Sequence, residues 1–455
     1  MGRRPEDLDP KEPDPKEPEM SALSLGYLSF PLLLALIFAR APIGLAMLIC
    51  GAGGLTLATG SPLIVLAKLK SESFSTFANY NLAVIPMFLL MGQFATLGGM
   101  SAALFRAAEA FLGHRRGGMA MAAIGACAGF GAICGSSLAT AATMGRVALP
   151  ELRAAGYSGG LSTATLAAGG TLGILIPPSV VLVIYAILTE TNIAQLFLAA
   201  VLPGVLAAVG YMLAIALYVR RHPEAAGLRP RQTAAARLRA LGHVWQVVAV
   251  FFLVVGGIYG GIFSPTEGAA VGAAGTGVMA LASGSLGWKG LRDSLLSTAE
   301  TTGMIFFIIL GAAVYNGFLA YARVPQELSG FVLDQGFSPW AVLALILAFY
   351  LILGCLMDSL SMILLTIPVF YPVVTGLDFG LDPALFPIWF GVLVLIVVEV
   401  GLITPPVGMN LFVINALSRE TPISATYGAV AWFVASDLIR VAILVAFPSL
   451  VLFVL

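Results

Sequence analysis

Two proline pairs interrupt long apolar stretches of this 455-residue chain: Pro177 with Pro178 inside residues 169–179, and Pro405 with Pro406 inside residues 401–410. Proline has no amide hydrogen, so each pair predicts a helix break that frees the carbonyl groups four residues earlier. The carbonyls concerned are those of Gly173, Ile174, Gly401 and Leu402. Inside a bilayer such backbone is tolerated only where protein buries it or where it lines a polar cavity. Two matched breaks therefore predict a binding site between two halves of the chain.

The composition indicates that the bilayer is the solvent of this chain. Hydrophobic residues make up 59% of it and charged residues 10%, with a mean hydropathy of +0.98, whereas about a quarter of residues are charged in soluble domains. The zero net charge gives no indication of a nucleic-acid partner. Four cysteines lie in apolar stretches without metal-ligand spacing, and we interpret them as small core residues: Cys50, Cys127, Cys134 and Cys355.

Residues 1–20 differ from the rest, because they are charged, rich in proline and built on a repeated Asp-Pro-Lys-Glu-Pro unit. Such a composition cannot bury a core, so it predicts a disordered tail. Its mixed charges do not resemble a secretory signal. Met20 is an alternative start to Met1.

The remaining chain predicts an all-α polytopic membrane protein. Several apolar runs are long enough to cross about 30 Å of hydrocarbon. Residues 118–150 and 340–374 are also apolar but carry polar groups at their middles, which predicts re-entrant helical hairpins with polar tips.

An internal repeat organises these segments, since the spacing from Pro42 to Ser136 equals that from Pro265 to Ser359. We expect two inverted repeats, each with about five transmembrane helices and one hairpin, as in secondary transporters. The predicted boundaries are a first repeat at 21–219 with a broken helix at 161–188, a basic linker at 220–243, and a second repeat at 244–455 with a broken helix at 386–416.

Basic residues fall mainly on one side of this arrangement, including six arginines between Arg220 and Arg239, and acidic residues mainly on the other. By the positive-inside rule the basic side is cytoplasmic, which predicts that both termini are periplasmic.

Hydroxyl groups crowd the first hairpin tip, at Ser136, Ser137, Thr140 and Thr143. Beside freed carbonyls they predict a site for a hard cation, because such ions prefer oxygen ligands. The alternative is that these hydroxyls bond back to their own helix and that the small residues permit close packing.

The second half offers similar chemistry with a carboxyl group added, at Asp358, Ser359, Ser361, Thr404, Gly408 and Asn410. An acid at this depth is costly unless it is paired, so Asp358 is a functional candidate, with a helix cap as the alternative. Glu399 precedes the break and is expected to orient the loop, to accept a proton, or simply to bond within the bundle.

Helices that restart after the two breaks, near Ser179 and near Gly408 to Asn410, would point free amide groups toward the same region. Helix N-termini favour anions, which predicts a carboxylate substrate. Asp437 and Arg440 are interpreted as a structural pair. Arg146 either faces the substrate or reaches toward the cytoplasm, and we favour the second.

From about residue 21 onward the chain resembles the large membrane subunit of tripartite ATP-independent periplasmic (TRAP) transporters. The resemblance rests on these strings: Gly135-Ser-Ser-Leu-Ala-Thr-Ala-Ala-Thr143, Ala168-Gly-Gly-Thr-Leu-Gly-Ile-Leu-Ile-Pro-Pro-Ser179, Ser264-Pro-Thr-Glu-Gly-Ala-Ala-Val-Gly272, Met357-Asp358, Trp389-Phe-Gly391 and Gly401-Leu-Ile-Thr-Pro-Pro-Val-Gly-Met-Asn410.

The resemblance implies a bacterial inner-membrane subunit that imports carboxylated solutes by sodium coupling and an elevator motion. It implies two partners, a small four-helix membrane subunit and a soluble periplasmic binding protein, and no cofactor beyond Na⁺. Carried onto this sequence, the sodium-site roles fall on Ser136, Ser137, Gly173, Ser359, Thr404 and Gly408, to which we add the neighbouring Thr140 and Gly401. The substrate-binding candidates are Thr143, Ser179, Asp358, Ser361 and Asn410.

Two other functions compete with this one. A stand-alone sodium symporter for divalent anions would have a similar repeat but would need no soluble partner. An intramembrane hydrolase would need a nucleophile motif or a metal motif, whereas the stretch at Gly135 departs from Gly-x-Ser-x-Gly at its last position and no His-Glu-x-x-His occurs. The sequence therefore predicts a transporter and not an enzyme.

Overall fold

Helices account for the regular secondary structure of residues 20–455, the part of the chain that the computed structural model describes. The prediction of an all-α polytopic membrane protein is thereby confirmed. The predicted tail at 1–20 lies outside the described residues except for Met20.

Ten helices form the first half: α1 (Ala22–Phe38), α2 (Ile43–Thr59), α3 (Pro62–Phe77), α4 (Val84–Leu97), α5 (Met100–Leu112), α6 (Gly118–Cys134), α7 (Ser137–Ala154), α8 (Gly159–Leu175), α9 (Val180–Thr189) and α10 (Ile193–Arg221). A 3-10 turn, Tyr80–Ala83, leads into α4. Several of these helices begin at a side chain that accepts a backbone amide of the first turn, namely those of Ser21, Ser136, Ser158, Ser179 and Asn192. Such caps satisfy amides that lack a partner within the helix.

Twelve more helices form the second half: α11 (Ala234–Gly242), α12 (Trp245–Phe251), α13 (Gly257–Tyr259), α14 (Pro265–Ala282), α15 (Trp288–Tyr321), α16 (Val324–Asp334), α17 (Pro339–Gly354), α18 (Ser359–Thr375), α19 (Phe386–Gly401), α20 (Met409–Leu417), α21 (Ile423–Ala446) and α22 (Ser449–Leu452). A π turn, Phe252–Gly256, joins α12 to α13. Ser264 and Glu267 form a capping box at the start of α14, which explains the Ser-Pro-Thr-Glu string.

Four segments are individually long and apolar enough to cross a membrane: Tyr80–Leu97, α10, α15 and α21. Two bent pairs raise the number to as many as six, α8 with α9 at 43° and α11 with α12–α13 at 44°. Helices α1, α2, α6, α17, α18 and α19 are apolar but shorter. The segment at 118–150 is the helix pair α6 and α7, and the segment at 340–374 is the pair α17 and α18.

Glycine permits the close crossing of α2 and α15. A β-carbon placed on Gly51 would lie 2.7 Å from both the Cα and the amide nitrogen of Tyr315, and 2.9 Å from the carbonyl carbon of Val314. Backbone atoms cannot move aside as a flexible side chain can, so any larger residue here separates the helices. Gly53, two residues further on, faces open space.

We expect Gly51→Ala to destabilise the protein by about 1–3 kcal/mol, the usual cost of overpacking. Gly53→Ala is the matched control and should change stability by less than about 1 kcal/mol, because it only improves helix propensity. Thermal unfolding of both variants in the same detergent measures the difference. Equal midpoints for the two variants would contradict the close crossing.

Candidate functional site

Each hairpin tip packs against the broken helix of its own half through glycine. A β-carbon on Gly131 of α6 would lie 2.7 Å from the Cα of Gly173, just before the first break. A β-carbon on Gly401, just before the second break, would lie 2.5 Å from the Cα of Gly354 of α17. The same backbone contact therefore occurs in both halves. Both proline pairs contain a cis peptide bond, Pro177–Pro178 and Pro405–Pro406.

Oxygen atoms gather at the first tip and break. A β-carbon on Gly173 would clash with Oγ1 of Thr140 and lie 2.7 Å from the carbonyl oxygen of Ser136. Thr140 is fully buried, and its hydroxyl has no hydrogen-bond partner among the described residues. In residues 20–455 no backbone amide outside the helices donates to the carbonyl groups of Gly173 or Ile174. These neutral oxygens form a surface that could hold a hard cation.

The second break is arranged differently, and one prediction about it is wrong. The carbonyls of Gly401 and Leu402 are not free, because they accept the amides of Thr404 at 3.0 Å and Asn410 at 3.1 Å. A tight turn at Thr404 replaces the bond that Pro405 cannot make, and the loop folds back so that Asn410 reaches Leu402. The amide of Asn410 is therefore not available to an anion, and that of Gly408 donates to Cys355 at 3.3 Å.

Polar side chains of the second half are largely satisfied locally. Asp358 caps α18, since one carboxyl oxygen accepts the amide of Ser361 at 3.0 Å and the other accepts its hydroxyl at 2.5 Å. This is the geometry of the capping alternative. The hydroxyl of Thr404 donates to the carbonyl of Val400 in its own helix at 2.6 Å.

Glu399 links the two halves at the centre of the site. Its side chain is 1% exposed, one oxygen accepts the hydroxyl of Ser359 at 2.6 Å, and the other accepts the hydroxyl of Ser137. Ser137 and Ser359 are the first helical residues after the two tips. One carboxyl group thus holds both tips against α19, and Glu399 belongs to the site although it is absent from the predicted ligands. The sequence signal was an acid in an otherwise apolar helix directly before a break.

Asn410 makes a second connection between the halves. Its side-chain amide donates to the carbonyl of Ala167 in α8 at 3.2 Å, and its Oδ1 atom is buried without a partner among the described residues. Tyr185 of α9, in the first half, donates to the carbonyl of Pro387 in α19, in the second half, at 2.7 Å. The two broken helices are therefore interlocked.

The other candidates lie around this centre. Ser179 is fully buried and caps α9 by accepting the amide of Leu182 at 3.3 Å. Thr143 is half-buried on α7, one turn beyond Thr140, and Arg146 is exposed. The structure thus groups Ser137, Ser359 and Glu399 at one point and Ser136, Thr140 and Gly173 at another.

Asp437 and Arg440 form the expected pair at 2.6 Å, inside a wider buried network. Tyr211 of α10 donates to Asp437 at 2.7 Å, and its hydroxyl also lies 2.9 Å from that of Thr171 in α8. Arg440 donates to the carbonyl of Pro203 at 3.2 Å. This network fixes α8 near the first break to α10 and α21.

A helical membrane protein with two hairpins and two broken helices meeting at a polar centre has the architecture of a secondary transporter. The sequence comparison agrees, because the model of the family described as "Tripartite ATP-independent periplasmic transporter, DctM component" matches residues 30–450. The chain belongs to this family, which confirms the resemblance. It is accordingly a transporter permease and not an enzyme.

Individual relatives are similar over most of their length. The C4-dicarboxylate TRAP transporter large permease protein DctM of Pseudomonas aeruginosa is 37% identical over 83% of this chain and 86% of its own. The protein of the same name from Rhodobacter capsulatus is 33% identical over 91% of this chain and 94% of its own. The solved YdaH transporter of Alcanivorax borkumensis matches with a TM-score of 0.59 at 14% identity, over 93% of this chain and 98% of that one, and shows the likeness of fold.

The Glu399 link predicts energetic coupling between the two tips. Ser137→Ala should cost at least about 1 kcal/mol less in a Glu399→Ala background than in the wild type, because the shared acceptor is already gone. Ser359→Ala should behave in the same way. Chemical or thermal unfolding of the single and double variants measures the coupling.

Ser29→Ala is the control for this cycle, since Ser29 bonds to Tyr315 at 2.8 Å in another part of the protein. Its cost should be additive with that of Glu399→Ala. Additivity for all three serines would exclude a shared carboxyl acceptor.

Proposed function

We propose that this protein is the large membrane subunit of a sodium-coupled importer of carboxylate-containing solutes that a periplasmic binding protein delivers. The observation that carries the proposal is the fully buried Thr140 hydroxyl, which has no partner among the described residues and lies with the Ser136 carbonyl against Gly173, just before the first break. Buried polar atoms are normally hydrogen-bonded, so an oxygen in this position is suited to a bound cation.

The proposed sodium ligands are oxygens on the two tips and breaks. In the first half they come from Ser136, Ser137, Thr140 and Gly173, and in the second half from Ser359, Thr404 and Gly408. Sodium suits these neutral oxygens because it is a hard cation. Glu399 accepts the hydroxyls of Ser137 and Ser359 and holds them in place.

The proposed site for a carboxylate solute lies between the two broken helices. The start of α9 at Ser179 and the hydroxyl of Thr143 supply donors on one side. Asn410 supplies its side-chain amide on the other, with Ser361 and Asp358 at the second tip. Two related permeases are named for C4-dicarboxylates, which makes a small dicarboxylate the first solute to test.

An elevator motion is supported by the interlocking of the two hairpins with the two broken helices. Glu399, Asn410 and Tyr185 tie these elements to one another, and α2 and α15 pack closely on each other. The matching glycine contacts in the two halves favour an inverted repeat. The proposed moving unit is α6–α9 with α17–α20, together with α10 and α21, which the Asp437 network ties to α8.

The name of the family describes a tripartite transporter, so we expect two partners, a small four-helix membrane subunit and a periplasmic binding protein. The proposed location is the bacterial inner membrane with both termini periplasmic. The alternative, a stand-alone divalent-anion symporter, differs in needing no binding protein.

Reconstitution with the partner subunits tests this function. Uptake of radiolabelled succinate, fumarate or another carboxylate into proteoliposomes should require both an inward sodium gradient and the cognate binding protein, without ATP. Potassium replacing sodium is the control. Equal uptake of free solute without the binding protein would support the stand-alone alternative.

Thr140→Val tests the cation site itself, because valine keeps the volume of threonine and removes the hydroxyl. We expect the sodium concentration for half-maximal uptake to rise about tenfold, the effect of losing one buried oxygen partner. Thr276→Val is the matched control, since Thr276 is equally buried but donates to the carbonyl of Gly272 in its own helix at 2.9 Å. An unaltered sodium activation curve for Thr140→Val would remove Thr140 from the ligand set.

A further inference from the structure

The segment between α10 and α12 is anchored on the face that the charge distribution predicts to be cytoplasmic. The amide of Arg229 donates to the carbonyl of Gly113 at 3.2 Å, and its guanidinium group lies 3.1 Å from Glu151 and 3.9 Å from Glu109. The carbonyl of Ala225 accepts the amide of Ser158 at 2.9 Å. This segment is therefore held against α5, α7 and the start of α8, and its other basic residues have defined positions.

Four cationic or titratable side chains lie together beyond this anchor, and we refer to them as the basic cluster: His114, Arg115, Arg231 and Arg237. Arg237 stacks over Phe111, with 5.8 Å between its Cζ atom and the ring centroid. Arg115 directly follows His114 in the chain, and burial together with the charges of Arg237, Arg231 and Arg115 lowers the pKa of His114.

The cluster contains buried donors without acceptors. Nε and Nη2 of Arg237 are shielded from solvent and have no hydrogen-bond partner among the described residues. The acids close by, Glu109 and Glu151, face Arg229 instead. Buried guanidinium N–H groups normally have an acceptor. Like charges also repel, so the arrangement favours an anion between these side chains.

Oxyanions are the ligands that this arrangement fits. The planar guanidinium fork matches the spacing of two phosphate oxygens, and hydrogen bonds between charged partners are stronger than neutral ones. A phosphate group would also reduce the repulsion within the cluster. These properties indicate a phosphate-like ligand. Whether the phosphate belongs to a lipid or is free in solution depends on the residues around the cluster.

An apolar stripe on the same segment indicates that source. Leu238, Leu241 and Trp245 follow one another at helical spacing and are 68%, 54% and 58% exposed. They lie where α11 bends by 44° into the apolar α12–α13. Helices with basic residues beside an apolar stripe lie along the membrane interface, where tryptophan is also favoured.

We propose that the basic cluster binds the phosphate headgroup of an anionic phospholipid, while Leu238, Leu241 and Trp245 contact its acyl chains. The site goes beyond the transport function proposed above and does not depend on it. A specific site differs from nonspecific attraction by positive charge, because the specific site requires Arg237 and does not require Arg239. Arg239 is exposed on the same helix and lines a separate cavity of about 480 Å³ with Glu109.

The test uses the full chain, purified in an uncharged detergent with any membrane subunit that accompanies it. Binding of phosphatidylglycerol and phosphatidylcholine is measured by native mass spectrometry, with inorganic phosphate as a third ligand. We expect Arg237→Gln to weaken phosphatidylglycerol binding about tenfold, through loss of a charged hydrogen bond. Arg239→Gln removes the same charge from the same helix and should weaken it less than about threefold. Phosphatidylcholine should bind more weakly than phosphatidylglycerol to the wild type.

Equal losses in the two variants would overturn the site, because they would indicate charge alone. If inorganic phosphate displaces no bound lipid, the result supports a lipid as the ligand. If inorganic phosphate binds the wild type as tightly as phosphatidylglycerol does, the result overturns the proposal. Thermal unfolding without added lipid shows whether Arg237→Gln is folded. If it is not, Arg115→Gln, at an exposed loop position, replaces it with the same expected loss and the same control.

Discussion

The buried carboxyl group of Glu399 accepts one hydroxyl from each hairpin tip, and the arrangement of the site depends on this shared acceptor. A carboxyl group in an apolar interior is costly unless its oxygens are hydrogen-bonded. Here the two donors come from opposite halves of the chain, so satisfying the acid also brings the halves together. Asn410 of the second half donates a hydrogen bond to the first half, and Tyr185 of the first half donates one to the second. The polar centre therefore acts as a structural link between the two halves.

Close backbone packing makes this link possible. Gly131 against Gly173 and Gly354 against Gly401 leave no room for a β-carbon, which allows each tip to reach the break beside it. The two breaks then differ in how their backbone is satisfied. At the second break the carbonyls of Gly401 and Leu402 accept local amides, whereas at the first the Thr140 hydroxyl has no partner among the described residues. The first half thus offers the more open set of oxygens for a cation.

Much of the architecture could be predicted because it follows from local chemistry. Proline at 177, 178, 405 and 406 cannot continue a helix, and polar residues inside apolar runs indicated the turns at Ser136 and Asp358. The helix pairs α6–α7 and α17–α18 lie where those turns were expected. Asp437 and Arg440 pair at helical spacing, which is also a local property. The free carbonyls predicted at Gly401 and Leu402 were wrong, because the path of a loop decides which amides return to them.

The sequence by itself determined that this chain lies in a membrane and where its helices break, since hydropathy and proline act over a few residues. Only the tertiary structure decided that Glu399 accepts a hydrogen bond from Ser137, which precedes it by 262 residues. It also decided that two buried guanidinium nitrogens of Arg237 have no acceptor among the described residues, whereas Arg239, on the same helix, lines a cavity with Glu109. Such contacts depend on how distant helices pack, and neither composition nor spacing specifies that packing.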